Sequence, residues 1–288
     1  MSFWQRWATG INLANDSFKL LFKHLQLTLY TLMAALIAVG IPFVLYVIYV
    51  YNPENPTTIT AEITIFSIFK QLELTGLPLV IASLLFSFVI MFVDQFFYVS
   101  LSHHTMHILR REQRSFADAL TACSKKWLLI IQWAAISLVV NTLLSIPFMY
   151  AYTWGMGLLV SIVILACSTA WNLLTFLVIP FIALERITLT RALTLSYETV
   201  KGKLWEVVGG LIWIAIVGVI LKQLILLPGI VLGIAKLNTA LLVLVQLVAP
   251  GITALVTAAA IILRTIFFDK FYEQEIEGWK TAEHDLMM

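Results

Sequence analysis

Residues 77–101 read LPLVIASLLFSFVIMFVDQFFYVSL, and this stretch decides the architecture. One carboxylic acid, Asp94, interrupts 25 residues that otherwise carry no charge. At about 1.5 Å per residue a helix of this length reaches about 37 Å, enough to cross a hydrocarbon core about 30 Å thick. The pattern recurs, and the runs at 27–51, 77–101, 127–149, 156–184, 204–221 and 239–263 predict six transmembrane helices. Composition agrees. Of 288 residues 61% are hydrophobic and 12% charged, where soluble domains carry about 25% charged residues. The mean hydropathy is +0.95.

Charge placement orients the spans. Arg6, Lys19, Lys23, Arg110, Arg111, Arg114, Lys125, Lys126, Arg186, Arg191, Lys201, Lys203, Arg264, Lys270 and Lys280 fall on one side. Only Lys70, Lys222 and Lys236 fall on the other. Because Lys and Arg resist translocation, fifteen against three predicts cytoplasmic termini. Tyr46, Tyr49, Tyr51, Tyr150, Tyr152 and Trp154 fit an outer aromatic belt, and Trp127, Trp205, Phe267 and Phe268 an inner one. Residues 1–26 are mostly amphipathic, unlike the short basic start of a secretory signal, so the first span is expected to be retained. A net charge of +2 without a single basic patch argues against a nucleic-acid partner. Cys123 and Cys167 fall in different environments, which predicts no disulfide, and nothing predicts a cofactor or metal.

An internal repeat precedes the odd-numbered spans. Ser115-Phe-Ala-Asp-Ala-Leu-Thr-Ala-Cys123 aligns without a gap with Thr188-Leu-Thr-Arg-Ala-Leu-Thr-Leu-Ser196, and Ser17-Phe18 parallels Ser196-Tyr197 in a weaker third copy. Lys125-Lys126-Trp127 corresponds loosely to Lys201-Gly-Lys203-Leu-Trp205. The pattern predicts an all-α bundle of three parallel hairpin repeats, each preceded by a cytoplasmic amphipathic elbow helix, with Ser115 and Thr188 as N-caps. In the first elbow, Phe3, Trp4, Trp7, Ile11, Phe18, Leu21, Phe22 and Leu25 form the stripe expected to lie on the membrane. Gly209, Gly210, Gly218, Ala254 and Ala258 to Ala260 allow close helix approach. Residues 222–238, with Pro228-Gly229, form either an interfacial lid or a re-entrant half-helix, and 269–288 form a solvated cytoplasmic tail.

The stretch Trp171-Asn-Leu-Leu-Thr175-Phe176-Leu-Val-Ile-Pro180-Phe-Ile-Ala-Leu-Glu185 resembles the W-x3-T-F-x3-P-x4-E signature of a family of uncharacterised six-span prokaryotic membrane proteins. In that family an A-L-x-x-S segment and a Trp before the next span follow, as Ala192-Leu193, Ser196 and Trp205 do here. The resemblance runs from the second span to the fifth, and the family is loosely similar to the membrane domain attached to some glycerophosphodiester phosphodiesterases. It implies the fold and brings no catalytic residues. The soluble phosphodiesterase barrel is absent, as are a P-loop, a G-x-S-x-G and an H-E-x-x-H, and the chain is expected not to be an enzyme.

Two clusters are candidates for function. Asp94, about 10 Å inside a span, is costly to bury unpaired, with Arg264 or Gln132 as structural partners. With Asn141, Asn172 and Gln246 near mid-bilayer it outlines a candidate intramembrane polar site, provided these converge; otherwise they, with Thr175, are interhelical glue. His103, His104 and His107 follow on the same helix, and His103, His107, Arg110, Arg111 and Arg114 are candidate contacts to lipid headgroups, including anionic ones. Three readings follow. The first is transport or lipid handling through a polar intramembrane site. The second is a non-catalytic structural or assembly protein that docks a partner complex or another copy of itself. The third is lipid-phosphate chemistry at the histidines, which requires all three to share surroundings.

Overall fold

The computed structural model describes residues 2–49, 76–112, 114–153, 157–185, 187–231 and 239–273, with side chains for 2–38, 40–41, 76–112, 114–144, 160–185, 187–224 and 250–272. Along the chain run α1 (Phe3–Lys23), a 3-10 turn (Leu25–Leu27), α2 (Thr28–Tyr49), α3 (Leu77–Leu109), α4 (Phe116–Ser124), α5 (Trp127–Thr153), α6 (Gly157–Leu174), α7 (Val178–Leu184), α8 (Leu189–Gly202), α9 (Leu204–Val231) and α10 (Thr239–Phe268). A single π-turn, Asp269–Glu273, follows. There is no strand among the described residues.

Three of these helices, α1, α4 and α8, are the elbows, and each starts at a hydroxyl that accepts from the free amides of the first turn. Ser115 Oγ accepts from Asp118 N at 3.2 Å, and Thr188 Oγ1 from Arg191 N at 3.4 Å. Ser2, which the repeat did not single out, does the same for α1 in a capping box with Gln5. In α4 the box is closed by Asp118, whose carboxyl is held below its usual range by the Ser115 amide and hydroxyl. A depressed carboxylate stabilises above its unfolded pKa and stops doing so as pH falls through the folded one, so this cap weakens in acid.

Five stretches are long and apolar enough to cross a membrane: 77–109, 127–144, 160–184, 204–224 and 250–272. A sixth is reached if Phe3–Lys23 and Leu25–Ala38 count as one broken span, although they meet at 98°. Helix boundaries differ from expectation. Helix α3 runs on to Leu109 and carries all three histidines. Helix α9 continues to Val231, so the first part of the stretch read as a lid or re-entrant segment is unbroken helix; 232–238 lie outside the described residues, as does 274–288 of the tail.

The fourth run is broken where one helix was expected. Pro180 has no N–H to donate to Phe176 O, and its ring crowds that carbonyl, so the ladder fails a turn earlier, at Thr175–Leu177. Lipid supplies no replacement partners, but the elbow α8 does. Ser196 Oγ donates to Leu174 O at 2.8 Å and accepts from Leu177 N at 3.0 Å. Ser196 is fully buried, and so are Ser17 and Cys123 at the aligned positions of the other elbows. Burial pushes the Cys123 thiol up to about 11.

The interior is concentrated at the elbow end. Phe181 meets Phe268 and Tyr272 edge-on at 5.0 and 4.6 Å, and Phe176 meets Phe267 at 5.6 Å. Buried hydrogen bonds join helices there: Tyr30 to His104 at 2.7 Å, Ser102 to Thr265 at 2.8 Å, and Trp133 Nε1 to Gln95 Oε1 at 3.0 Å. At the other end, among residues 77–94 only Leu79 is buried.

The first elbow is built into the bundle rather than laid on it. It buries Gly10, Leu13, Ala14, Ser17, Phe18 and Leu21 against α9 and α10, whereas Trp4, Phe22 and Leu25 of the expected stripe stay exposed. The smallest residue sets the crossing, since a Cβ on Gly10 would lie 2.1 Å from Glu206 O and 2.8 Å from Gly210 N. Trp213 Nε1 donates to Asn15 Oδ1 at 2.8 Å beside it. Gly10→Ala should therefore destabilise by about 1–3 kcal/mol through overpacking against backbone. Gly40→Ala, which meets nothing within 4 Å, should not. Thermal unfolding of both variants in detergent checks this, and equal midpoints would refute the crossing.

Candidate functional site

The expected midplane site is scattered. Gln132, Asn141 and Asn172 are exposed, and Asn172 Nδ2 donates to Ser168 O of its own helix at 2.9 Å. The side chain of Gln246 lies outside the described residues. Asp94 is half-buried and forms no ion pair with Arg264. The Arg264 guanidinium instead lies 5.4 Å from the centre of the Phe176 ring, with Nε buried and without a partner. The buried amide in this region is the neighbouring Gln95, held by Trp133, whose indole stacks on Trp171 at 6.0 Å. Hydropathy gives depth, but one residue along a helix turns the side chain by about 100°, and that rotation separates Asp94 from Gln95.

Polar side chains do gather at the elbow end, where α3, the α4–α5 turn and the end of α7 enclose a cavity of about 780 Å³. Its apolar wall is Met106, Leu128, Leu129 and Leu184. Its polar rim is His103, His107, Arg110, Lys125, Lys126 and the single carboxylate Glu185. Of the residues expected to meet headgroups, His103, His107 and Arg110 line the cavity. Arg111 and Arg114 do not, and Arg114 Nε lies 4.0 Å from Glu112 at the surface.

Local structure fixes each wall. Lys126 Nζ donates to Ile182 O, Ala183 O and Glu185 O at 3.0, 2.8 and 3.2 Å, a cation on the free carbonyls at the negative end of α7. Helix α3 ends at Arg110, and Arg111 takes the left-handed conformation, φ +60°, that usually falls to glycine. The reversal lets Glu112 N donate to His107 O at 2.8 Å and sets the Glu112 carboxylate 2.6 Å from His107 Nδ1. His107 Nε2 then faces His103 Nε2 at 3.4 Å. Glu112, His107 and His103 form one chain, ending at a His103 Nδ1 that is buried without a partner. His104 faces the opposite way, with Nδ1 on the Tyr30 hydroxyl in the core, so His103 and His107 share the cavity and the third histidine does not join them.

Sequence reasoning passed over Lys125 and Lys126 as ligand contacts, although the Lys-Lys-Trp step in the repeat marks where an elbow turns into a span. Among the described residues no three of His, Cys, Asp and Glu are grouped closely enough to hold a metal. What the cleft presents is an anion-receptive rim over an apolar wall. No family model, curated protein or solved structure matches this chain.

The left-handed Arg111 costs about 1 kcal/mol relative to glycine. Arg111→Gly should keep the turn and raise stability by up to that amount, while the β-branched Arg111→Val should lower it. Thermal unfolding compares the two, and a Val variant as stable as wild type would remove the strained turn from the account.

Proposed function

We propose that this chain is a multi-pass protein of a prokaryotic cytoplasmic membrane that handles lipids, holding the headgroup of an anionic lipid of the cytoplasmic leaflet in the elbow-level cleft. The observation that carries the reading is the cleft itself, where two imidazoles, Arg110, Lys125 and Lys126 face one carboxylate above a wall of Met and Leu. A phosphate oxygen is the natural partner of such donors, and an acyl chain of such a wall. Exposed Trp127 and Leu128 sit beside it, where an interfacial aromatic belongs.

The fold proposed with this function is six spans in three elbow-and-hairpin units with both termini cytoplasmic, the architecture implied by the resemblance to the six-span family. The fifteen-to-three division of Lys and Arg supports the orientation. Three hydroxyl-capped elbows with a buried small residue at the aligned position support the repeat. The function is binding and presentation of lipid rather than catalysis. Transport is the second reading, on the single observation that Asp94 and Arg264 lie within apolar helices without pairing to each other.

Lipid extracted in native nanodiscs and quantified by mass spectrometry tests the proposal. Wild type should be enriched in anionic lipid over the surrounding membrane. Arg110→Gln with Lys125→Gln should lower that enrichment about tenfold, the loss expected for one or two charge-assisted contacts, while Asp94→Asn should leave it unchanged. Bulk-like lipid around wild type would overturn lipid handling. Loss of enrichment in Asp94→Asn would favour transport.

A further inference from the structure

We infer that His103 and His107 form a site for one divalent transition-metal ion of the zinc class, bound through two imidazole nitrogens and open to the elbow-level cleft. The two side chains stand at i and i+4 on α3, the spacing at which a pair of histidines on one helix face reaches a common zinc ion. Both line the cleft, which leaves room for the ion's remaining ligands.

Each ring offers one nitrogen, and in both it is Nε2. His107 Nδ1 is taken by the Glu112 carboxylate at 2.6 Å, and His103 Nδ1 is buried. The two Nε2 atoms lie 3.4 Å apart, while the ring centres lie 4.5 Å apart with planes inclined at 63°, so the rings converge toward these nitrogens. As a hydrogen bond the contact is long, since protein N–H donors prefer about 2.7–3.2 Å. As the edge of a metal site it has the right length. A tetrahedral zinc ion about 2.0–2.1 Å from each nitrogen spaces two ligands about 3.3–3.4 Å apart.

A metal-bound imidazole almost always gives its other N–H to a carboxylate, carbonyl or water, which fixes the ring and makes it a better ligand. Glu112 stands in that position behind His107, and the left-handed turn at Arg111 brings it there. The ligand set also names the class of ion. Imidazoles suit zinc, nickel and copper, whereas magnesium and calcium take oxygen ligands. Among the described residues no third His, Cys, Asp or Glu joins the pair, so oxygen ligands from outside the chain fill the remaining positions. His104, turned to Tyr30, takes no part.

The full chain in nanodiscs of zwitterionic lipid, stripped with a chelator, is titrated with cobalt(II) alone, whose visible absorption reports its ligand geometry, and zinc then competes. Wild type should take up one equivalent of cobalt, zinc should displace it, and a large excess of magnesium should not. His103→Gln and His107→Gln should each remove that equivalent, whereas His24→Gln and His284→Gln should keep it. Glu112→Gln, at an exposed position, should weaken cobalt binding about tenfold to a hundredfold in a fold left intact. Zinc should also raise the thermal unfolding midpoint of wild type and leave that of either cleft histidine variant unmoved. No saturable equivalent in wild type, an equivalent that survives in His103→Gln or His107→Gln, or unweakened binding in Glu112→Gln would overturn the site.

Discussion

A backbone that breaks inside an apolar span exposes amides and carbonyls that lipid cannot satisfy, and the arrangement of this molecule answers that constraint. Pro180 imposes the break. One hydroxyl, Ser196, returns a donor and an acceptor to Leu174 and Leu177 and so fastens the third elbow to the broken span. At the other end of the seven-residue helix that results, Lys126 collects three carbonyls and fastens the second elbow to the same element. The short helix α7 is thus held at both ends, by Ser196 of α8 and by Lys126 of the α4–α5 turn. Its position against α3 encloses the cleft.

The same logic explains where the bundle is tight. Among the described residues, most of the buried interhelical hydrogen bonds lie near the elbow end, and so do the aromatic contacts of Phe176, Phe181, Phe267 and Phe268. Packing and polar bonding reinforce one another there, because a buried hydrogen bond in low dielectric is strong when made and costly when missing. Away from the elbows the helices present Leu, Val and Ile outward, an apolar surface that needs no partner in hydrocarbon.

The left-handed Arg111, the buried His103 nitrogen and the unpartnered Arg264 nitrogen are local departures from the rule that polar groups and backbone are satisfied. Two of the three adjoin the cleft. The strained turn sets a carboxylate behind a histidine pair at the edge of the cavity.

Much of the fold was legible from the chain because spans and caps are local. Twenty-five apolar residues determine a crossing helix whatever its neighbours do, and Ser115 and Thr188 bond amides three residues away. His103 and His107 were readable as a pair for the same reason, being one helical turn apart. What the tertiary structure alone decided depends on the angle about each helix axis and on contacts across long separations. Asp94 and Arg264 share a depth without meeting, and Lys126 finds carbonyls 56 to 59 residues away. Ser196 repairs a break 22 residues before it, and Gly10 admits the first elbow into the bundle instead of leaving it on the surface. Hydropathy is a sum along one helix and carries no such angle; only the packing of helix against helix supplies it.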